Sequence, residues 1–239
     1  MLPKIIHYCW FGRGEKPALA KKCIASWRKF CPDFEIREWN EDNYEVYRNS
    51  YTAYCYENKK WAFLSDYVRL DVVEHFGGIY LDTDVELIRS LKPLLSFTAF
   101  YGFENTKYVA TGLGFGAEVG HPTIIAMRNE YDTLSKNGTI QTIGCPILNT
   151  KALLSLGLVQ DGKQQNVCGA EILPSTFLNP FEDSTGRLNI TDDTFSIHWY
   201  AKSALSLKTR IRSRVTRPFH RLFGNDCFQR WKKNGNEGD

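Results

Sequence analysis

A chain of 239 residues is long enough for one α/β domain with a full core, and 43% hydrophobic with 24% charged residues is ordinary globular composition. No apolar run reaches the length of a membrane span, and seven cysteines without a C-x-x-C pair argue against a disulfide framework or a zinc site. The net charge of +3 hides an asymmetry: Lys202 to Lys233 holds 10 basic residues and one acid (+9), leaving 20 basic and 26 acidic (−6) elsewhere.

Residues 4–9, K-I-I-H-Y-C, are apolar and β-prone and predict a first strand that runs into the glycine-bearing loop Trp10-Phe11-Gly12-Arg13-Gly14. Pro17 suits the first turn of a helix whose buried side is Leu19, Cys23, Ile24 and Trp27. A second strand, residues 34–39, completes a βαβ unit. Residues 41–58 predict one or two short helices, where Tyr44, Tyr47, Tyr51 and Tyr54 recur at packing intervals. Trp61, Leu64, Val68 and Val72 then mark a buried helical face, and Asp66 and Arg69, three apart, share one side of that helix. Gly77-Gly78 ends the helix, Ile79-Tyr80-Leu81 reads as a short buried strand, and Asp82-Thr83-Asp84 follows at its carboxyl end.

That ending carries the chemistry. Open α/β sheets bind ligands beyond the carboxyl ends of their strands. On extended chain, side chains at i and i+2 project the same way, so both aspartates face one point. Such oxygen donors suit Mg2+ or Mn2+ holding a diphosphate. The plainer reading is a strand closing in an acidic turn, and D-T-D alone leaves both open. The Asp66–Arg69 pair likewise reads as carboxylate or phosphate recognition, or as a surface ion pair worth little.

Past the motif, residues 85–88 continue as a strand until Lys92-Pro93 breaks it, and residues 97–103 form another. The run T-G-L-G-F-G-A (residues 111–117) has neither G-x-G-x-x-G nor P-loop spacing, so its glycines read as allowing close strand approach. His121-Pro122 opens a helix through Tyr131, with a structural His121, and Gly144-Cys145-Pro146 precedes the next helix. Residues 171–174 predict a strand, residues 177–181 an extended loop, and residues 195–199 a strand closing on His198. His198 is either a satisfied core residue or a ligand. In the tail, basic residues alternate with Leu, Ile, Val and Phe; it lies on an anionic membrane surface or packs as a solvated helix. No module accompanies the charge that would read nucleic acid.

S-D-x-x-R (Ser65 to Arg69) followed by G-G-I-Y-L-D-x-D (Gly77 to Asp84) resembles the signature of the DXD sugar-binding glycosyltransferases, glycosyltransferase family 32 and its relatives. The resemblance implies a GT-A type α/β fold, Rossmann-like, with a mixed central sheet flanked by helices. Residues 1–204 would be the catalytic domain and residues 205–239 a basic amphipathic segment. It implies retaining transfer of a hexose from a nucleotide-diphospho-sugar, a UDP-sugar, to a glycan or lipid-linked glycan acceptor in surface polysaccharide synthesis. Asp84 and Asp82, with His198, would hold Mn2+ or Mg2+. Asp66 would meet ribose or sugar hydroxyls and Arg69 the sugar or the aspartates. Trp10 would stack on the uracil, against the alternative of closing the core. Ser203 would touch the diphosphate, although Ala204 stands where relatives carry a tryptophan; Trp199 is the substitute. Two rival classes remain: a metal-dependent phosphotransferase or hydrolase on another diphosphate, and a non-catalytic carbohydrate-binding protein. Reduced thiols and an N-terminus too quickly polar for a signal peptide set the expected location in the cytoplasm, with the tail at the inner face of the cell membrane.

Overall fold

Strand β1 (Ile5–Cys9) is buried at four of its five positions. Helix α1 (Ala18–Phe30) returns the chain to β2 (Glu35–Trp39), which pairs with β1 in parallel. This is the expected βαβ unit, with Pro17 at the N-cap and Cys23, Ile24 and Trp27 on the buried side. Side chains alternate along β1, Ile6 and Tyr8 entering one hydrophobic cluster and Cys9 the other. The computed structural model describes residues 1–136, 139–201 and 207–224.

Helix α2 (Ser50–Glu57) starts where the Asn49 side chain accepts the Thr52 N–H, and Tyr44 and Tyr51 pack inside while Tyr47 stays exposed. Helix α3 (Trp61–Phe76) is buried at every position from Asp66 to Val73, so it is covered on all sides. It stops at Gly77 (φ +62°, ψ −174°) and Gly78 (φ +102°), conformations that L side chains avoid. A Cβ on Gly78 would lie 2.9 Å from the Ile5 carbonyl oxygen. Strand β3 (Gly78–Tyr80) follows at once.

The remaining elements are β4 (Val85–Leu87), β5 (Ala99–Gly102), β6 (Phe115–Ala117), α4 (Pro122–Asp132), the pair β7 (Ser135–Lys136) and β8 (Thr139–Ile140), and α5 (Cys145–Ser155). Then come β9 (Gln165–Val167), β10 (Ala170–Leu173), α6 (Ser175–Leu178), the pair β11 (Phe181–Glu182) and β12 (Arg187–Leu188), β13 (Ser196–His198) and α7 (Leu207–Phe223). The main sheet has the order β2-β1-β3-β6-β5-β10-β9. Strands β2, β1, β3, β5 and β10 point one way, and β6 and β9 oppose them. The mixed sheet with a hydrophobic cluster on each face is the α/β architecture expected.

Two details differ from expectation. Among the described residues strand β4 stands outside the main sheet and pairs with β13 alone, Val85 opposite His198. Residues 175–178 turn as a short helix after Pro174, overlapping the extended loop expected at 177–181. The strand expected at 171–174 forms at 170–173, between β5 and β9. Among the described residues no helix is long and apolar enough to cross a membrane.

A fully buried histidine joins these parts. His7 Nε2 lies 2.8 Å from the Gly77 carbonyl oxygen, and the Trp39 indole N–H donates to Nδ1 at 3.0 Å. Indole only donates, so Nδ1 accepts and the single proton sits on Nε2. Burial lowers the His7 pKa to about 4 against the pull of the Gly77 carbonyl; Arg37 lowers it further and Glu35 opposes. A folded pKa below the unfolded one means that the unfolded chain takes up the proton first. Stability from this group is therefore complete above pH 6.5 and is lost as pH falls toward 4. Between pH 7.5 and 4.5 the parent should lose about 2 kcal/mol more than His7→Gln in urea unfolding. Parallel pH profiles of the two proteins would show that the ring is not held neutral.

Candidate functional site

Five strands pointing the same way send their following loops to one edge of the sheet. The loop after β1 brings Trp10, Phe11, Gly12 and Gly14, the turn after β3 brings Asp82, Thr83 and Asp84, and the residues after β5 bring Glu104. Helix α3 adds Asp66 and Arg69, and the chain leaving β13 adds His198 and Tyr200. All line one cavity of about 800 Å³.

At its base the Arg69 side chain, 3% exposed, stands between two carboxylates. Its Nη2 is 2.9 Å from Asp66 Oδ1 and 3.0 and 3.3 Å from the two oxygens of Asp82. Nε donates to the Ser65 carbonyl at 3.2 Å, and the guanidinium lies over the Tyr80 ring, whose hydroxyl donates to Asp82 at 3.1 Å. A helix residue thus fixes a residue 13 positions later at the exit of the strand. Burial raises the Asp66 carboxyl to about 6, with Arg69 pulling it back, and raises Asp82 for the same reason. Burial also opposes the charge on Arg69, but its two aspartates outweigh that and keep it protonated.

The D-T-D segment is a tight turn closed by the Val85 N–H on the Asp82 carbonyl at 2.9 Å. Strand alternation therefore does not aim the two aspartates, contrary to expectation. Asp82 turns to Arg69; Asp84 turns to the chain leaving β13. Asp84 Oδ2 accepts the Ala201 N–H at 2.7 Å, and Oδ1 lies 3.3 Å from His198 Nε2. Even so, ligand atoms of Asp82, Asp84 and His198 fall within 4.8 Å of one another. Burial works to raise the Asp84 carboxyl, yet His198 and the Ala201 N–H hold it down at about 2. For His198, burial lowers the pKa and the acidic neighbours, Asp84 first, raise it above its ordinary value.

This donor set fits a hard divalent cation. Two carboxylates and an imidazole converge, and His198 Nδ1 is buried without a hydrogen-bond partner.

Other expected residues fall into place unevenly. Trp10 is half-buried: it packs against one core cluster and also lines the cavity, with its indole N–H on the Gly14 carbonyl at 2.7 Å and Lys16 over its ring. Ser203 lies outside the described residues. Trp199 does not line the cavity; its N–H donates to Glu86 at 2.8 Å and its ring packs on Phe181, so it does not substitute at the site. Within T-G-L-G, a Cβ on Gly112 would lie 2.7 Å from Asp82 Oδ2, the close approach expected of these glycines. Sequence reasoning missed Glu104, Cys145 and Tyr200. Glu104 could have been found as the residue leaving a predicted strand, and Cys145 as the start of a helix. Tyr200 carries no sequence signal.

Residues 17–101 match the family model described as glycosyltransferase sugar-binding region containing DXD motif. The resemblance read from Asp66, Arg69, Asp82 and Asp84 is borne out over that span. Inositol phosphoceramide mannosyltransferase 3 of Schizosaccharomyces pombe is 28% identical over 136 residues, 52% of this chain and 35% of that protein. Lactosylceramide 4-alpha-galactosyltransferase of Mus musculus is 27% identical over 182 residues, 71% of this chain and 49% of that protein. The chain thus spans a third to a half of the length of these curated relatives. Among solved structures, the galactosyltransferase LgtC in complex with donor and acceptor sugar analogs aligns at 16% identity and a TM-score of 0.45, covering 89% of this chain and 96% of that one.

Removing the guanidinium should leave two buried carboxylates uncompensated. Arg69→Met is expected to lose about 3–5 kcal/mol in chemical denaturation at pH 7.5. A loss under about 1 kcal/mol would mean that Arg69 is not their counter-ion.

Proposed function

We propose that this chain is a metal-dependent, retaining glycosyltransferase of the GT-A type, moving a hexose from a UDP-sugar to a glycan or lipid-linked glycan acceptor. The observation that carries this reading is the buried Asp66–Arg69–Asp82 bridge beside Asp84 and His198, in a cavity that also takes in the Trp10 loop. Asp84 and His198, with Asp82, would hold Mn2+ or Mg2+. When bound, the cation supplies Lewis-acid stabilisation of the charge on the departing diphosphate. Arg69 keeps Asp66 and Asp82 ionised and aimed, Asp66 meets a ribose or sugar hydroxyl, and the Trp10 face stacks on the base. Front-face attack by the acceptor hydroxyl accounts for retention without a covalent intermediate.

The acceptor side of the reading is a membrane surface. Both curated relatives are named for ceramide-linked substrates. Helix α7 turns its half-buried Thr216, Arg217 and His220 toward the protein, Arg217 pairing with Asp183 at 2.7 Å and lying over Phe181. Ile211, Val215 and Leu222 are 54, 61 and 76% exposed, amid Lys208, Arg212 and Arg221. Apolar side chains outward within a segment of +9 suit an anionic bilayer. Surface polysaccharide synthesis at the inner face of a cell membrane is the setting we propose.

A panel of UDP-sugars in Mn2+ tests the chemistry. One donor should release UDP in an EDTA-sensitive way, and Asp84→Asn should lower that release by about 10²–10³-fold while keeping the fold by circular dichroism. Phosphate release without UDP would favour a hydrolase, and binding without turnover a non-catalytic protein. For the tail, the full chain should float with phosphatidylglycerol-containing vesicles and not with phosphatidylcholine alone. Val215→Glu with Leu222→Glu should abolish flotation; equal flotation of variant and parent would remove the membrane from this reading.

A further inference from the structure

One carboxylate in the cavity has no part in the cation corner. Glu104 follows β5, which runs parallel to β3 across the intervening antiparallel β6, so it leaves the sheet at the same edge as Asp82. The order along that edge is the Trp10 loop after β1, the D-T-D turn after β3, and Glu104 after β5. A nucleoside at Trp10 and a diphosphate at Asp84 would put the hexose, and whatever attacks it, toward Glu104.

The side chain is held in place without being neutralised. The Tyr200 hydroxyl donates to Glu104 Oε1 at 3.3 Å, and Asn179 Nδ2 donates to that hydroxyl at 2.8 Å and to the Glu104 carbonyl at 3.0 Å. Tyr200 has φ +50°, a left-handed backbone uncommon for an aromatic residue, and its ring centroid is 4.1 Å from that of His198. The same tyrosine therefore braces the histidine of the cation corner and orients the Glu104 carboxylate. Among the described residues no lysine or arginine forms an ion pair with Glu104, and it lies outside the Asp82–Asp84–His198 group. A cavity-lining carboxylate with one oxygen held, drawn on by His198 but in no ion pair among the described residues, keeps acceptor capacity for hydroxyl donors, which is what a neutral sugar presents.

We propose that Glu104 is the acceptor-binding residue: its carboxylate accepts a hydrogen bond from the attacking sugar hydroxyl and holds that oxygen against the anomeric carbon of the donor. This rests on the glycosyltransferase reading. The hydroxyl oxygen forms the new bond to the anomeric carbon, the bond from that carbon to the phosphate oxygen breaks with its electron pair leaving on UDP, and the hydroxyl proton, shared between the Glu104 carboxylate and that phosphate oxygen while the hydroxyl is held, passes to the phosphate oxygen. Glu104 orients the hydroxyl and ends in its starting state.

The test uses the full chain, the UDP-sugar with the highest EDTA-sensitive UDP release, and the methyl hexoside that stimulates that release most. Glu104→Gln should lower kcat/KM for the methyl hexoside by about 10²-fold, mainly through KM, and Glu104→Asp should recover part of it. Calorimetry of UDP with Mn2+ should stay within twofold of the parent in both variants. Unchanged stimulation in Glu104→Gln overturns the proposal. So does a parallel loss of UDP–Mn2+ affinity, which would make Glu104 part of the cation corner, or a glycosyl adduct on Glu104 in mass spectrometry with donor alone. A parent that releases UDP from no donor overturns the glycosyltransferase reading and this proposal with it; an active parent isolates the failure to Glu104.

Discussion

A guanidinium with almost no solvent, set between two carboxylates, is the interaction on which the rest of the site depends. Arg69 belongs to a helix, Asp82 to the end of the next strand, and Asp66 to the helical turn before Arg69. Charges at this depth are tolerated only when each has its partner and its remaining hydrogen bonds. Ser65 and Tyr80 supply those bonds, and Gly112 leaves the space a side chain would fill. The helix and the strand therefore cannot slide past one another without exposing unpaired charge. Asp82 is spoken for by this bridge, which leaves Asp84 and His198 as the freer donors of the cluster.

Sheet direction does the second part of the work. Because β1, β3 and β5 are codirectional, the Trp10 loop, the acidic turn and Glu104 emerge side by side without any long connection. His7 keeps the sheet and the end of α3 in register, bonded to Gly77 on one side and Trp39 on the other. Two consecutive glycines in conformations closed to other residues let the chain pass from helix to strand with no linker.

Much of this was legible in the amino-acid order. The βαβ start, the α3 helix, the stop at Gly77-Gly78 and the acidic strand exit follow from spacing and residue type, since each is a local property. Asp66 and Arg69 were legible as neighbours because i and i+3 meet on any helix. The periodicity of α3 understated its burial, because a helix covered on all sides does not keep a polar face. At Asp82-Thr83-Asp84 the turn was one of two open readings, and the aim given to the aspartates by strand alternation fails because the Val85 hydrogen bond closes that turn. The Glu104–Tyr200 contact and the β4–β13 pairing were not legible, because they join segments about one hundred residues apart. The outward apolar side of α7 was visible as amphipathicity, but which side met the protein was not.

The pairing of Val85 with His198 has a consequence for how the molecule comes into being. A growing chain on the ribosome carries both aspartates by residue 84, yet lacks the imidazole and the Ala201 amide until more than one hundred further residues have emerged. Contacts this distant in the chain form late, since loop closure must precede them. Half-made copies of the protein would accordingly hold their acidic turn without the histidine and the backbone amide that complete its surroundings.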